Sequence, residues 1–147
     1  MNSMKKLSLF LTLVCFATSY GQETHKATLI CNLAALNSET PAYEACYFSE
    51  QQPGTDTREF TIYVKVGDII EWDGMSTDGE GAIDIKKIKY ESGTNVFNKP
   101  EIDGVTTVVG TVRQDTEGKP EYKYKISFKV NDTGRMYSID PKVAVRP

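Results

Sequence analysis

The chain has 147 residues and a formal net charge of −3. A chain of that length can close one hydrophobic core and not comfortably two. A weakly acidic chain whose lysines are scattered offers no basic stripe for nucleic acid and no cationic patch for anionic lipid.

The N-terminal segment reads as a secretory leader. Lys5 and Lys6 precede the apolar and small run Leu7 to Ala17, and Ser19 and Gly21 suit the −3 and −1 positions of a cleavage site before Gln22. The run is too short to cross a hydrocarbon core of about 30 Å. The expectation is a leader over 1–21, one exported domain over 22–147, and a secreted or periplasmic location. The leader takes two lysines and no acids with it, so the exported chain is more acidic still. Cys15 falls inside the leader; Val14 before it and the continuing run through Ala17 argue against a lipidated cysteine. Cys31 and Cys46 are then an even pair in an oxidising compartment, which points to a disulfide. A reactive or metal-binding pair is the alternative, but no histidine lies near them in sequence.

Strand signals follow in order. Lys26 to Leu33 is a short mixed run, and Asn37 to Glu44 is a turn broken by Pro41. From Arg58 to Val66, Phe60, Ile62, Val64 and Val66 alternate with Thr61, Tyr63 and Lys65, the period of a half-buried strand. Gly67-Asp68 turns the chain, and Ile69 to Trp72 resumes the apolar pattern. Asp73 to Gly81 reads as the loosest loop. In Ala82 to Glu91 the apolar parity slips between Ile85 and Ile88, so a bulge near Lys86-Lys87 is needed to keep one buried face. Val105 to Arg113 is rich in valine and threonine, and Gln114 to Glu121 has hairpin chemistry. Tyr122, Tyr124, Ile126, Phe128 and Val130 alternate with Lys123, Lys125, Ser127 and Lys129, which predicts a central strand with one wet side. The lysine clusters at 86–89 and 123–129 are then solvated strand faces. Asn131 to Gly134 turns the chain. It contains an Asn-Asp-Thr sequon, which the turn itself explains. Met136 to Ile139 and Lys142 to Val145 close it. With no helical spacing over a dozen residues, seven or eight short strands indicate an all-β Greek-key sandwich, cupredoxin-like or immunoglobulin-like.

Phe60 to Gly74 resembles the second-to-third strand region of the cupredoxin family, through Val64, Val66, Gly67, Asp68, Ile70 and Trp72. Tyr137 to Val145 is similar to the closing strand of cupredoxin-like secreted domains. The resemblance covers about residues 58 to 147 and implies the fold without its metal. A blue-copper site needs two histidines, a thiolate and usually an axial methionine. This chain has one histidine, His25, and the Tyr122 to Met136 hairpin holds neither Cys nor His.

Candidate chemistry is sparse. His25 lies in a polar N-terminal segment expected to fray, which removes the base a nucleophilic triad needs. Asp73, Asp78, Glu80 and Asp84 crowd one loop and could serve as acid and base, or hold calcium. An EF-hand register with Gly81 at the glycine position puts Lys87 where the bidentate acid belongs, so only a non-standard calcium site remains. Tyr43, Tyr47 and Phe48 surround Cys46, Tyr63 belongs to a wet strand face, and Trp72 is either a stacking platform or a core anchor. These five form the candidate ligand-binding set. The reading is an exported, monomeric, non-catalytic binding module without cofactor, whose partner is an envelope or extracellular protein, peptide or glycan. A small extracellular hydrolase or enzyme inhibitor using loop 73–84 is the alternative, and an envelope subunit joined through an exposed edge strand is a third.

Overall fold

The structure is a computed structural model that describes residues 21–147. The expected leader therefore lies, apart from Gly21, outside the described residues. Ten strands build the domain: β1 (Thr24–Cys31), β2 (Cys46–Phe48), β3 (Thr61–Lys65), β4 (Ile69–Ser76), β5 (Ile83–Ser92), β6 (Glu101–Asp103), β7 (Val108–Thr111), β8 (Tyr122–Val130), β9 (Thr133–Ile139) and β10 (Lys142–Arg146). Helical structure among the described residues is limited to the single turn α1 (Ala42–Ala45) and a 3-10 turn at Thr57–Glu59.

The strands form an all-β sandwich of two mixed sheets. One has the order β2-β1-β4-β7; the other has the order β3-β10-β8-β5-β6, with β9 joined to β8. The expected alternation of β8 holds: Tyr122, Tyr124, Ile126 and Phe128 are buried, and the intervening lysines and Ser127 point to the wet side. The bulge in β5 also stands where parity required it. Ile85 pairs with Phe128 and Lys87 with Ser127, leaving Lys86 as the extra residue. Ile88 is thereby returned to the core. The β8–β9 connection is a two-residue turn in which Asn131 and Asp132 both take positive φ (50° and 52°). Asn and Asp tolerate that left-handed conformation better than other side chains, as this hairpin type requires.

Two sequence expectations fail because of β1. Asp73 to Ser76 are not loop: they continue β4, paired in parallel with Thr28 to Cys31. Gly74 belongs there for a steric reason. A Cβ on it would stand 2.6 Å from Ile83 Cγ2 and 2.7 Å from the Ile83 carbonyl oxygen, so only glycine lets β5 approach. The second failure is the fraying of His25, which instead sits in β1 opposite Ile70. The valine-rich run at 105–113 shortens to β7, with Val105 exposed.

Gly67-Asp68 does more than reverse a hairpin. β3 belongs to one sheet and β4 to the other, so this corner carries the chain across the sandwich. Gly67 takes φ +93°, which glycine adopts without strain. The interior is one cluster centred on Trp72. Its ring meets Phe97 and Tyr124 edge-on, at centroid distances of 5.6 and 5.7 Å. Its indole N–H donates to the Tyr124 hydroxyl at 3.1 Å, so a buried polar group is satisfied inside hydrocarbon.

Candidate functional site

Cys31 ends β1 and Cys46 begins β2, as direct cross-strand partners with their sulfurs at disulfide distance. The bridge anchors both ends of the segment that carries α1. A second tie fixes the loop after β2. Gln51 accepts the Phe48 N–H at 3.1 Å through Oε1 and donates through Nε2 to the Thr55 carbonyl and the Thr57 hydroxyl, at 2.8 and 3.2 Å. Buried Thr57 donates in turn to the Cys46 carbonyl at 2.8 Å. These bonds hold the 49–57 loop against the bridge.

This framework separates the five candidate aromatic residues. Tyr47 points outward from β2 and is 46% exposed, while Tyr43 on α1 is half-buried. The Arg58 guanidinium covers the Tyr43 ring at 3.8 Å from its centroid and is itself clamped by Asp56 at 2.6 Å. The clamp holds the exposed Asp56 carboxyl down at about 2, chiefly through the side-chain hydrogen bond to Arg58. Arg58 was not legible as part of any site. Tyr63 is 64% exposed on the outer face of β3, away from the other two. Phe48 and Trp72 are corrections to the candidate set, because both are fully buried. Phe48 alternates with Tyr47 and so faces inward, where it stacks on Phe60 at 4.6 Å. Trp72 fills the centre between the sheets.

Two clefts flank the 49–57 loop. One, about 690 Å³, is lined by Tyr43, Tyr47, Asn32, Gln52, Thr55 and Thr77 among others, with Glu44 its one formally charged residue. The other, about 640 Å³, runs between the start of β1 and the edge of β3, with His25 in its wall and Tyr63 on its rim. Gln51, Gln52 and Thr55 border both.

The fold has a known counterpart. The crystal structure of inclusion body protein PixA from Burkholderia cenocepacia J2315 matches with a TM-score of 0.64, covering 88% of this chain and 98% of that one. At 13% identity the match establishes the fold alone. No protein-family model and no curated protein matches the sequence. No helix among the described residues is long and apolar enough to cross a membrane.

The acidic set does not converge. Asp73 lies in β4 and pairs with Lys26 at 3.4 Å, and Asp84 is buried in β5 opposite Lys129. Asp78 caps its own loop, accepting from the Glu80 N–H and the Ser76 hydroxyl at 3.0 and 2.8 Å. Those donors hold its carboxyl below the usual range. A blue-copper set does not fit either. The two cysteines among the described residues, Cys31 and Cys46, are paired with each other, so neither offers a thiolate, and His25 and Met136 lie on β1 and β9.

One polar cluster was missed. His25 Nε2 stands 2.9 Å from Asp68 Oδ2 and 3.8 Å from Glu23 Oε2. A signal existed: His25 shares the parity of Ala27, Leu29 and Cys31, the inward side of β1. Asp68 also accepts the Glu23 and Lys65 N–H groups at 3.1 and 3.0 Å. Burial opposes its charge, but the Lys65 N–H, His25 and the Glu23 N–H outweigh that and hold its carboxyl below the ordinary value. The folded pKa is the lower one, so its contribution is complete above the unfolded value of about 3.9 and fades as pH falls through the folded value. In urea titrations across that acid range, wild type should lose stability more steeply than Asp68→Asn, which starts weaker at neutral pH. Equal slopes would assign the buried corner no role in acid unfolding.

Proposed function

We propose that this chain is an exported, non-catalytic binding module, a cupredoxin-like sandwich used as a scaffold without copper. Its ligand is a neutral glycan of the cell envelope or extracellular space, taken in the cleft beside Tyr47. The carrying observation is the lining of that cleft. An exposed tyrosine lines it together with small apolar residues, amide and hydroxyl side chains and a single carboxylate. An apolar ring face beside convergent neutral hydrogen-bonding groups suits a polyhydroxyl ligand better than a charged peptide. Rigidity supports the same reading, since the Cys31–Cys46 pair and the Gln51–Thr57 bonds order the wall before any ligand arrives. Tyr43 serves as support, because Arg58 already occupies one face of its ring.

The test is a glycan array probed with wild type and Tyr47→Ala, beside a hydrolysis panel on the glycans that bind. Tyr47 is exposed, so its truncation should leave the urea midpoint within about 0.5 kcal/mol of wild type. Glycan binding should fall at least about tenfold, as for loss of an aromatic hot spot. Binding that is indifferent to the substitution would move the site elsewhere. Turnover that disappears with Asp78→Asn and Glu80→Gln would revive the hydrolase reading.

A further inference from the structure

We infer that Glu23, His25 and Asp68 form a binding site for a divalent first-row cation of the zinc class. One ligand atom from each residue lies within 4.8 Å of the other two, the single such three-residue group among the described residues. Two ligand atoms about 2.1 Å from one tetrahedral ion stand about 3.4 Å apart. The Glu23–His25 separation of 3.8 Å closes by rotating a side chain that is 70% exposed, and the His25–Asp68 separation of 2.9 Å opens to that spacing when an ion replaces the hydrogen bond between them.

The cluster is built in the way metal sites are. Asp68 is buried, and backbone N–H donors from Glu23 and Lys65 engage both its oxygens, so its orientation is set before an ion arrives. The bond from the Glu23 N–H also brings the Glu23 side chain to the site. Two carboxylates face one imidazole nitrogen, an arrangement whose like charges a cation would relieve. The donor set selects the ion. An imidazole favours zinc, copper, nickel or iron over magnesium and calcium, and the absence of a thiolate disfavours the softest ions. Three protein ligands leave a position open to solvent. Binding requires the imidazole tautomer with its hydrogen on Nδ1, so that Nε2 offers its lone pair to the ion in place of a hydrogen bond to Asp68. The inference is independent of the glycan reading, which uses the other cleft.

His25 is the chain's one histidine, so its ring protons report on this site without ambiguity. Untagged protein over residues 22–147 is titrated with zinc chloride, following those resonances by proton NMR and the stoichiometry by calorimetry. The expected result is saturable uptake of one equivalent, with the His25 resonances moving in step. Glu23→Gln should weaken uptake at least about tenfold. His25→Gln, which keeps a donor toward Asp68, should stay folded by circular dichroism and lose stoichiometric uptake. Three outcomes overturn the site: no saturable uptake, uptake that leaves the His25 resonances unmoved, or calcium moving them as far as zinc does.

Discussion

Replacing Cys31 and Cys46 together by alanine is expected to destabilise the domain by about 3 kcal/mol, the chain-entropy value for a loop of this length. The two residues are 15 positions apart and are direct partners at the β1–β2 junction. Without the bridge, the unfolded chain regains the freedom that the loop denies it. The folded chain keeps β1, which is paired with β4 along its whole length. The loss should therefore show in two ways. The urea midpoint falls, and wild type under reducing conditions falls to the same place. Amide exchange accelerates through α1 and β2 first, because β2 is a three-residue edge strand with β1 as its sole sheet neighbour. Protection in β8 should persist up to global unfolding. A native protein with two titratable free thiols and an unchanged midpoint would contradict this.

The second large effect belongs to Trp72. Truncation to alanine should cost about 3–5 kcal/mol, as for large aromatic side chains deleted from a core. The finer series separates volume from polarity. Trp72→Phe leaves most of the ring volume but removes the indole N–H from the Tyr124 hydroxyl, which is fully buried. Burial pushes that hydroxyl's pKa well above its ordinary value, and the neutral group still needs a partner. An orphaned buried hydroxyl costs about 1–3 kcal/mol. Tyr124→Phe alone orphans the indole in the same way. The double variant removes both partners and should be less destabilised than the sum of the singles, measured as a cycle of urea midpoints. Strict additivity would mean that the 3.1 Å contact carries no coupling.

What could be read from the sequence was local, and what was hidden depended on distant pairing. The alternation through β8 and the parity slip in β5 lie within single strands, and each names its own buried face. Phe48 could have been placed inward only with β2 known as a strand, and three residues are too few to declare a period. The acids at 73–84 looked like one cluster because they are neighbours in sequence. Parallel pairing with β1 instead draws Asp73 into a sheet, and β5 takes Asp84. His25 and Asp68 are 43 residues apart and meet through the corner at Gly67, a contact that no short-range pattern encodes. The cleft beside Tyr47 is half legible: the tyrosines around Cys46 stand out in the sequence, but Gln51, Thr57 and Arg58, which fix the wall, carry no motif.

A neutral ligand held by the wall between Tyr47 and Thr55 is what distinguishes a glycan-binding module from the other functions. The most direct measurement is backbone amide shift mapping with the tightest glycan from the array. Saturable shifts should be confined to Asn32, to 43–47 and to 49–57, with Thr77 at the border, and should vanish in Tyr47→Ala. No saturable shift with any neutral oligosaccharide, or shifts centred on the 78–82 turn, would contradict it.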